Sequence, residues 1–128
     1  MLQYIKGFFL NWYIGELLDI EIEDFQKLDM RVGIIIEVDE FPDAKKPAYR
    51  LKIDFGEQIG VKRSSAQILN YHKAELLGRK IIAVVNLKPR QIANFISEVL
   101  VMGALTEKGV QLLSVDGDIK LVKGTKIG

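Results

Sequence analysis

The feature that most limits the fold is a strict alternation of apolar and polar residues in AYRLKIDFG, residues 48–56. Side chains on every second position share one face of a β-strand, so this pattern predicts a strand with one buried face. The apolar positions are Tyr49, Leu51, Ile53 and Phe55, and the polar positions are Arg50, Lys52 and Asp54. Gly56 and Gly60 follow, and this pair predicts a hairpin-like return into a further strand that contains VKRSSAQI, residues 61–68.

The rest of the chain reads as further short strands with one helix. Residues 29–41 are rich in β-branched side chains and predict a long strand, in which Gly33 suits a bulge or a tight bend. Residues 80–87 predict a buried strand, and residues 97–105, 109–115 and 119–128 predict short ones separated by turn signals. Residues 70–80 predict a short helix with Asn70 as its cap and Gly78 as its stop.

The order of these elements indicates the fold class. About five or six strands, with one helix between the third and the fourth, are typical of an all-β protein with a short helix. We therefore predict an OB-fold, a five-stranded barrel whose face and loops commonly bind oligonucleotides.

The first 18 residues are the most apolar stretch, and their spacing is near a helical period. Asn11, Gly15 and Glu16 interrupt them, so the stretch falls short of the roughly 20 apolar residues of a membrane span. No small-residue cleavage site follows, so a signal peptide is not expected. We expect residues 1–23 to form an apolar helical extension that packs on the domain or on a partner chain, and residues 24–128 to form the OB-fold domain. Contact with a membrane interface fits less well, because the polar face carries little positive charge.

The chain offers few reactive side chains. It has no cysteine and one histidine, His72, which excludes disulfides, Cys/His zinc sites and thiol catalysis. The sequence around His72 shows no catalytic partner, no Gly-rich phosphate loop is present, and Asp54 is interpreted as a turn-closing residue. We therefore expect no enzymatic activity, no metal and no cofactor. The absence of cysteine fits a reducing compartment, and a cytoplasmic location is expected.

Charge is distributed unevenly along the chain. Residues 1–43 carry 3 basic and 10 acidic side chains, whereas residues 44–128 carry 15 basic and 7 acidic ones. This asymmetry predicts a polyanionic partner for the second part of the chain. Mutual neutralisation within the fold or across a dimer is the alternative, and the composition leaves both open.

Several short motifs occur in a fixed order within residues 24–128. They are Asp29-x-Arg31-x-Gly33, Asp54-Phe55-Gly56, Ser64-Ser65-Ala66-Gln67-Ile68, Asn86-Leu87-Lys88-Pro89-Arg90 and Ser97-Glu98. In these motifs and their spacing the chain resembles the CsaA proteins, the small stand-alone members of the tRNA-binding-domain family. The resemblance implies an OB-fold, a homodimer, tRNA binding as in the wider family, and a protein-export chaperone activity on unfolded polypeptides.

Two departures place the resemblance within that family. Domains appended to aminoacyl-tRNA synthetases typically read Ser-Glu-Gly-Met where this chain has Ser97-Glu98-Val99-Leu100. They also tend to carry a lysine near the position of Pro47. Because Ser97 and Glu98 are kept and the other residues are not, the resemblance indicates the CsaA branch.

Basic, hydroxyl and aromatic residues make up the predicted RNA-binding surface. Its members are Lys62, Arg63, Ser65, Gln67, Lys88, Arg90, Phe95 and Ser97. Basic residues beside hydroxyls suit a sugar-phosphate chain, Phe95 offers a stacking surface for an unpaired base, and Ser97 can bind a base edge or a 2′-hydroxyl. The alternatives are a solvated strand face for residues 61–67, a core or dimer position for Phe95, and a structural role for Glu98 as a backbone cap or a partner of Arg90.

Two further interpretations concern neighbouring residues. Lys45, Lys46, Arg50 and Lys52 would form a basic stripe if they share a face, as Arg50 and Lys52 do by period two. A dimer with an apolar groove would instead bind extended polypeptide through exposed Phe41, Tyr49 and Phe95. A purely peptide-binding chaperone, or an interaction scaffold that binds no RNA, is therefore the alternative function.

Overall fold

The secondary structure is taken from a computed structural model of the chain, which describes residues 18–128. Its helices are α1 (Ile22–Gln26), α2 (Lys73–Leu76) and α3 (Ile119–Val122). Its strands are β1 (Met30–Glu40), β2 (Tyr49–Asp54), β3 (Val61–Ala66), β4 (Lys80–Val84), β5 (Arg90–Ile92), β6 (Phe95–Ser97), β7 (Leu100–Val101), β8 (Gly103–Thr106), β9 (Gly109–Leu112) and β10 (Lys126–Ile127). Five strands form the barrel in the order β3-β2-β1-β4-β7, and β10 pairs with β1. The strand count of the described part exceeds the prediction because β5–β6 and β8–β9 form separate hairpins.

The long strand β1 organises the barrel. It pairs antiparallel with β4 along its first half and with β2 along its second half. Just after β1 changes partner from β4 to β2, its pairing with β2 shifts register between Ile35 and Glu37, and this bulge bends the strand. The barrel closes where β3 meets the segment after β6, because the Glu98 amide donates to the Arg63 carbonyl at 2.8 Å. The result is a nearly closed five-stranded barrel with few short helices, which is the predicted OB-fold.

The barrel interior holds the apolar side chains that the alternation predicted. Tyr49, Leu51, Ile53 and Phe55 are all buried. The bulge expected at Gly33 lies instead between Ile35 and Glu37. A Cβ atom at Gly33 would lie 2.6 Å from side-chain atoms of Ile53 and of Phe55. Glycine is needed here because two core side chains pack directly on its backbone.

The predicted hairpin return and the predicted helix are both present, with one correction. Gly56 and Gly60 have φ angles of 89° and 83°, and the Gly60 amide donates to the Gly56 carbonyl at 2.7 Å. The helix α2 is capped by His72 rather than Asn70. The Asn70 side chain donates to the Val110 carbonyl at 2.9 Å, so it ties the preceding loop to β9 instead.

Residues 119–128 form a helix and a short strand, so the prediction of one strand there is wrong. The Asp118 side chain accepts from the Lys120 amide and caps α3, which favours a helical turn over an extended chain. The short strand β10 then pairs with the start of β1, with Ile127 opposite Met30.

Ionic contacts hold this C-terminal segment against the barrel. Arg31 donates from Nε to Asp29 Oδ1 at 2.6 Å and from Nη1 to the Gly124 carbonyl at 3.1 Å. Lys123 Nζ donates to Asp54 Oδ2 at 3.0 Å. We call Asp29, Arg31, Asp54, Lys123 and Gly124 the C-terminal clamp.

Asp54 also closes its turn, as the sequence indicated. The Gly56 amide donates to Asp54 Oδ1 at 2.9 Å. This bond first, and the Lys123 ammonium second, hold the pKa of the Asp54 carboxyl below its ordinary value, because both stabilise the charged form.

The predicted N-terminal helix falls mainly on residues that lie outside the described range. It stays a prediction, as does the domain boundary after residue 23, which the short helix α1 crosses. Within residues 18–128, no helix is long and apolar enough to cross a membrane.

Candidate functional site

A groove of about 880 Å³ opens between the loop after β1, the end of β3 and the β5–β6 hairpin. Its basic side chains are Lys45, Lys46, Lys88 and Arg90, and its apolar side chains include Ile68, Ile92, Val99, Val101, Leu105 and Val110. Because Ile68 and Val99 are buried while all four cations are exposed, the groove has an apolar floor and a basic rim. We call this feature the basic groove.

Local sequence explains how each wall is placed. Pro42 and Pro47 flank the loop that carries Lys45 and Lys46, and two prolines restrict its backbone. Along β3 and the residue after it, period two turns Ala66 into the core and leaves Ser65 and Gln67 on the outer face. Both polar residues line the groove.

The third wall differs from its prediction. Sequence patterns predicted no strand between residues 87 and 97, but residues 90–97 form the hairpin β5–β6, with Arg90 opposite Ser97 and Ile92 opposite Phe95. Ala93 has a φ angle of 53° at the tip. The hairpin brings Lys88 and Arg90 to the groove from sequence positions far from β3.

The basic rim has an excess of uncompensated positive charge. Among residues 18–128, none of the four cations has an acidic side-chain oxygen within 4.0 Å. The acidic side chains that line the groove are Asp43 and Glu98. Glu98 already contacts two cations outside the groove, Lys62 at 4.0 Å and Arg63 at 3.4 Å. The rim is therefore suited to an anionic ligand.

Ser97 and Glu98 are structural as well as groove-lining. Ser97 Oγ accepts from the Ser65 amide at 3.0 Å, and Glu98 Oε1 accepts from the Arg63 amide at 3.1 Å. Both side chains thus satisfy backbone donors on the edge of β3 that closes against the segment after β6. The structural role proposed for Glu98 is present, but its basic partners are Arg63 and Lys62 rather than Arg90.

The predicted RNA-binding residues divide into two groups. Ser65, Gln67, Lys88, Arg90 and Ser97 line the groove together. Lys62, Arg63 and Phe95 are not among its lining residues. Phe95 is half-buried, with its ring in edge contact with the Phe41 ring at 5.4 Å between centroids.

The prediction that two of the peptide-binding aromatics, Phe41 and Tyr49, are exposed is wrong. Phe41 is 3% exposed and Tyr49 is 8% exposed, so neither ring faces solvent. Phe41 packs against Phe95, and the Tyr49 hydroxyl donates to the Tyr71 carbonyl at 3.0 Å. Both aromatics belong to the packed interior and its border.

The proposed basic stripe is also divided. Arg50 and Lys52 share a face, but Arg50 Nε donates to the Glu40 carbonyl and Lys52 pairs with Glu37 at 3.0 Å. Lys45 and Lys46 instead line the groove, which their position between two prolines could have indicated. The apolar floor had no signal in sequence, because its residues come from four separate segments.

Comparison with known proteins places this architecture among related chains. Residues 30–124 match the family described as "Putative tRNA binding domain". The CsaA chaperone structure from Picrophilus torridus is 61% identical, with a TM-score of 0.82, and the match covers 86% of this chain and 100% of that one. The CsaA chaperone structure from Bacillus anthracis is 44% identical, with a TM-score of 0.79, and covers 87% of this chain and 100% of that one.

Curated relatives are much longer proteins. The methionine–tRNA ligase of Methanocaldococcus jannaschii is 36% identical over 116 residues, which is 88% of this chain and 17% of the ligase. The chain thus spans about a sixth of the length of such ligases.

Proposed function

The chain belongs to the tRNA-binding-domain family, and from this membership we propose that it is a non-catalytic tRNA-binding protein whose RNA lies in the basic groove. The observation that carries the proposal is the set of four exposed cations, without ion-pair partners among residues 18–128, around an apolar floor. The exposed cations suit the phosphates of RNA, and the apolar floor suits its unstacked bases.

The rim supplies affinity in this account. Lys45 and Lys46 come from the loop after β1, and Lys88 and Arg90 come from the segment at the start of β5, so a sugar-phosphate chain in the groove meets cations from two walls. Arg90 can hold a phosphate through two donors, whereas the lysines act as point charges. Release of condensed counterions makes this term strongly dependent on salt.

The β3 edge supplies polar contacts to the ligand. Gln67 is exposed and carries both a donor and an acceptor, so it suits a base edge. Ser65 keeps its hydroxyl free for a 2′-hydroxyl or a phosphate, since its bond to Ser97 uses the backbone amide. Ser97 contributes less to the ligand than expected from sequence, because its oxygen already accepts that bond.

A second candidate function rests on the same floor and on the named neighbours. Two structures of this fold, 61% and 44% identical, are described as chaperones, and the apolar floor suits side chains of an extended polypeptide. We propose protein-export chaperoning of unfolded precursors in the cytoplasm as this second activity. A homodimer is part of the proposal, and Leu113, which is 42% exposed and does not line the groove, supports an apolar contact between copies.

The test is binding of labelled bulk tRNA to the full chain across a salt series, with an unfolded export precursor as competitor. Four phosphate contacts predict a log–log slope of roughly −3. A shallow slope, or no binding at low salt while the precursor is still captured, would remove RNA as the primary ligand and leave the chaperone activity. Displacement of tRNA by the precursor would indicate one shared groove.

A further inference from the structure

The Phe95 ring, predicted from sequence as a stacking surface, is already covered by Arg63. The Arg63 Cζ atom lies over the ring, 5.6 Å from its centroid, which is the distance of a cation–π contact. The Phe95 ring also makes a T-shaped contact with the buried Phe41 ring, with an interplanar angle of 62°. Phe95 is half-buried and has these two neighbours, so its ring is less open to a nucleobase than the exposed Arg63 guanidinium is.

Glu98 holds Arg63 in this position through two contacts. Its Oε1 atom accepts from the Arg63 amide at 3.1 Å and from Arg63 Nε at 3.4 Å, while Lys62 Nζ lies 4.0 Å from Oε2. The Arg63 side chain still exposes 46% of its surface. It is therefore oriented by a ring and a carboxylate and remains open to a ligand.

Arg63 also continues the row of groove-facing residues. It shares the outer face of β3 with Ser65, and Gln67 extends the row by period two. Alternate residues on a strand are about 7 Å apart, so Arg63 lies one step beyond the groove wall. RNA that contacts Gln67 and Ser65 in the groove reaches Arg63 next.

We propose that the Arg63 guanidinium is the stacking platform for an unpaired nucleobase, and that Phe95 and Glu98 position it. The proposal rests on the proposed RNA binding and names its ligand at this point as a base in single-stranded RNA. A guanidinium is planar and weakly hydrated, and unpaired bases stack on such planes as they do on aromatic rings. Phe95 is a positioning residue rather than the contact surface in this arrangement.

The test compares two oligomers of equal charge, a short unstructured RNA and its abasic ribose-phosphate counterpart. Arg63→Lys keeps the charge and removes the plane, so it is expected to weaken the RNA at least about fivefold and to leave the abasic oligomer unchanged. Phe95→Leu is expected to weaken the RNA in the same selective manner. The matched control is Arg79→Lys, since Arg79 lies 4.8 Å over Tyr71 away from the groove, and it should change neither affinity.

Each outcome has one meaning. Equal loss for both oligomers in Arg63→Lys would overturn stacking and leave only a charge contact. No loss for either would overturn any role of Arg63 while RNA binding in the groove stands. If the unchanged protein binds tRNA but neither oligomer at low salt, the inference fails and the proposed tRNA function stands, whereas binding to none of the three overturns both.

Discussion

The basic groove and the C-terminal clamp both carry charged motif residues, but they treat charge in opposite ways. In the clamp, Arg31 pairs with Asp29 and Lys123 pairs with Asp54. In the groove, Lys88 and its three basic neighbours have no such partner within residues 18–128. A paired charge stabilises the fold, whereas an unpaired charge on an exposed rim is available to a ligand.

This difference in charge pairing separates the charged sequence motifs by role. The Asp29-x-Arg31-x-Gly33 and Asp54-Phe55-Gly56 motifs anchor the C-terminal segment and the core. The Asn86–Arg90 motif does both, since Asn86 Nδ2 donates to the Lys27 carbonyl at 2.7 Å while Lys88 and Arg90 line the groove. Changes in the clamp are therefore expected to alter stability, and changes in the groove are expected to alter RNA affinity.

The largest effect is expected from Gly124→Ala in the clamp. Gly124 has a φ angle of 84°, and an added Cβ would lie 2.5 Å from the Phe55 carbonyl oxygen. Backbone strain and this contact are expected to lower the free energy of unfolding by about 3 kcal/mol in chemical denaturation. The control is Gly78→Ala, which has a φ angle of 82° with no atom within 4 Å and should cost only about 1 kcal/mol. Equal losses would show that the close approach of Gly124 to the Phe55 carbonyl adds nothing to the backbone strain.

The next effect is expected from Lys88→Ala combined with Arg90→Ala in the groove. Loss of two phosphate contacts is expected to weaken tRNA binding about 10- to 100-fold and to reduce the log–log salt slope by about 1.4. The free energy of unfolding should change by no more than about 0.5 kcal/mol relative to the unchanged protein, because neither cation has an ion pair to lose among residues 18–128.

The control for this variant removes the same charge elsewhere. Lys52→Ala combined with Lys73→Ala deletes two exposed cations that pair with Glu37 and Glu40, outside the groove. If this control weakens tRNA as much as the groove variant does, overall charge rather than the groove determines affinity.

Two facing serines give a smaller and more selective test. Ser97→Ala leaves the Ser65 amide without its acceptor and is expected to lower the free energy of unfolding by about 1–2 kcal/mol. Ser65→Ala keeps that bond, so it should affect RNA affinity and leave unfolding unchanged. Denaturation and RNA titration of both variants test this assignment. A loss of stability in Ser65→Ala, with a loss of RNA affinity alone in Ser97→Ala, would contradict it.

The smallest effect is a pH dependence of the clamp. The folded-state pKa of Asp54 lies below its unfolded value, so its charged form stabilises the fold above the unfolded pKa of about 3.9. That contribution is lost as the pH falls through the folded pKa. The difference in unfolding free energy between the unchanged protein and Asp54→Asn should therefore shrink between pH 6 and pH 3. A constant difference over that range would mean that Asp54 does not act through its charge.

Sequence predicted the features that depend on local pattern. The alternation of β2 gave the buried face, and Gly56 and Gly60 gave the turn, because period two and positive φ angles are properties of neighbouring residues. The order of strands around one helix gave the barrel. Five of the eight predicted RNA-binding residues then line one groove, since the end of β3 and the segment from Lys88 to Ser97 are neighbours in the fold, joined by the bond from the Ser65 amide to Ser97 Oγ.

Features that depend on distant contacts were missed. Glu98 contacts Lys62 and Arg63 only because the barrel closes, and no local sequence pattern predicts a contact between residues 35 positions apart. The burial of Phe41 follows from its packing against Phe95, which also depends on closure. The C-terminal helix was missed for a local reason: the Asp118 side chain caps it through the Lys120 amide, within a segment whose composition resembles a strand.

The central claim is that the ligand occupies the groove and leaves the clamp untouched. An NMR titration of the isotope-labelled chain with tRNA, or with a short single-stranded RNA, tests it most directly. We predict that the shifted or broadened backbone amides are those of the groove, such as Lys46, Gln67, Lys88 and Arg90, while Arg31, Asp54 and Gly124 stay unchanged. Perturbations centred on the clamp, or none at low salt, would contradict the account.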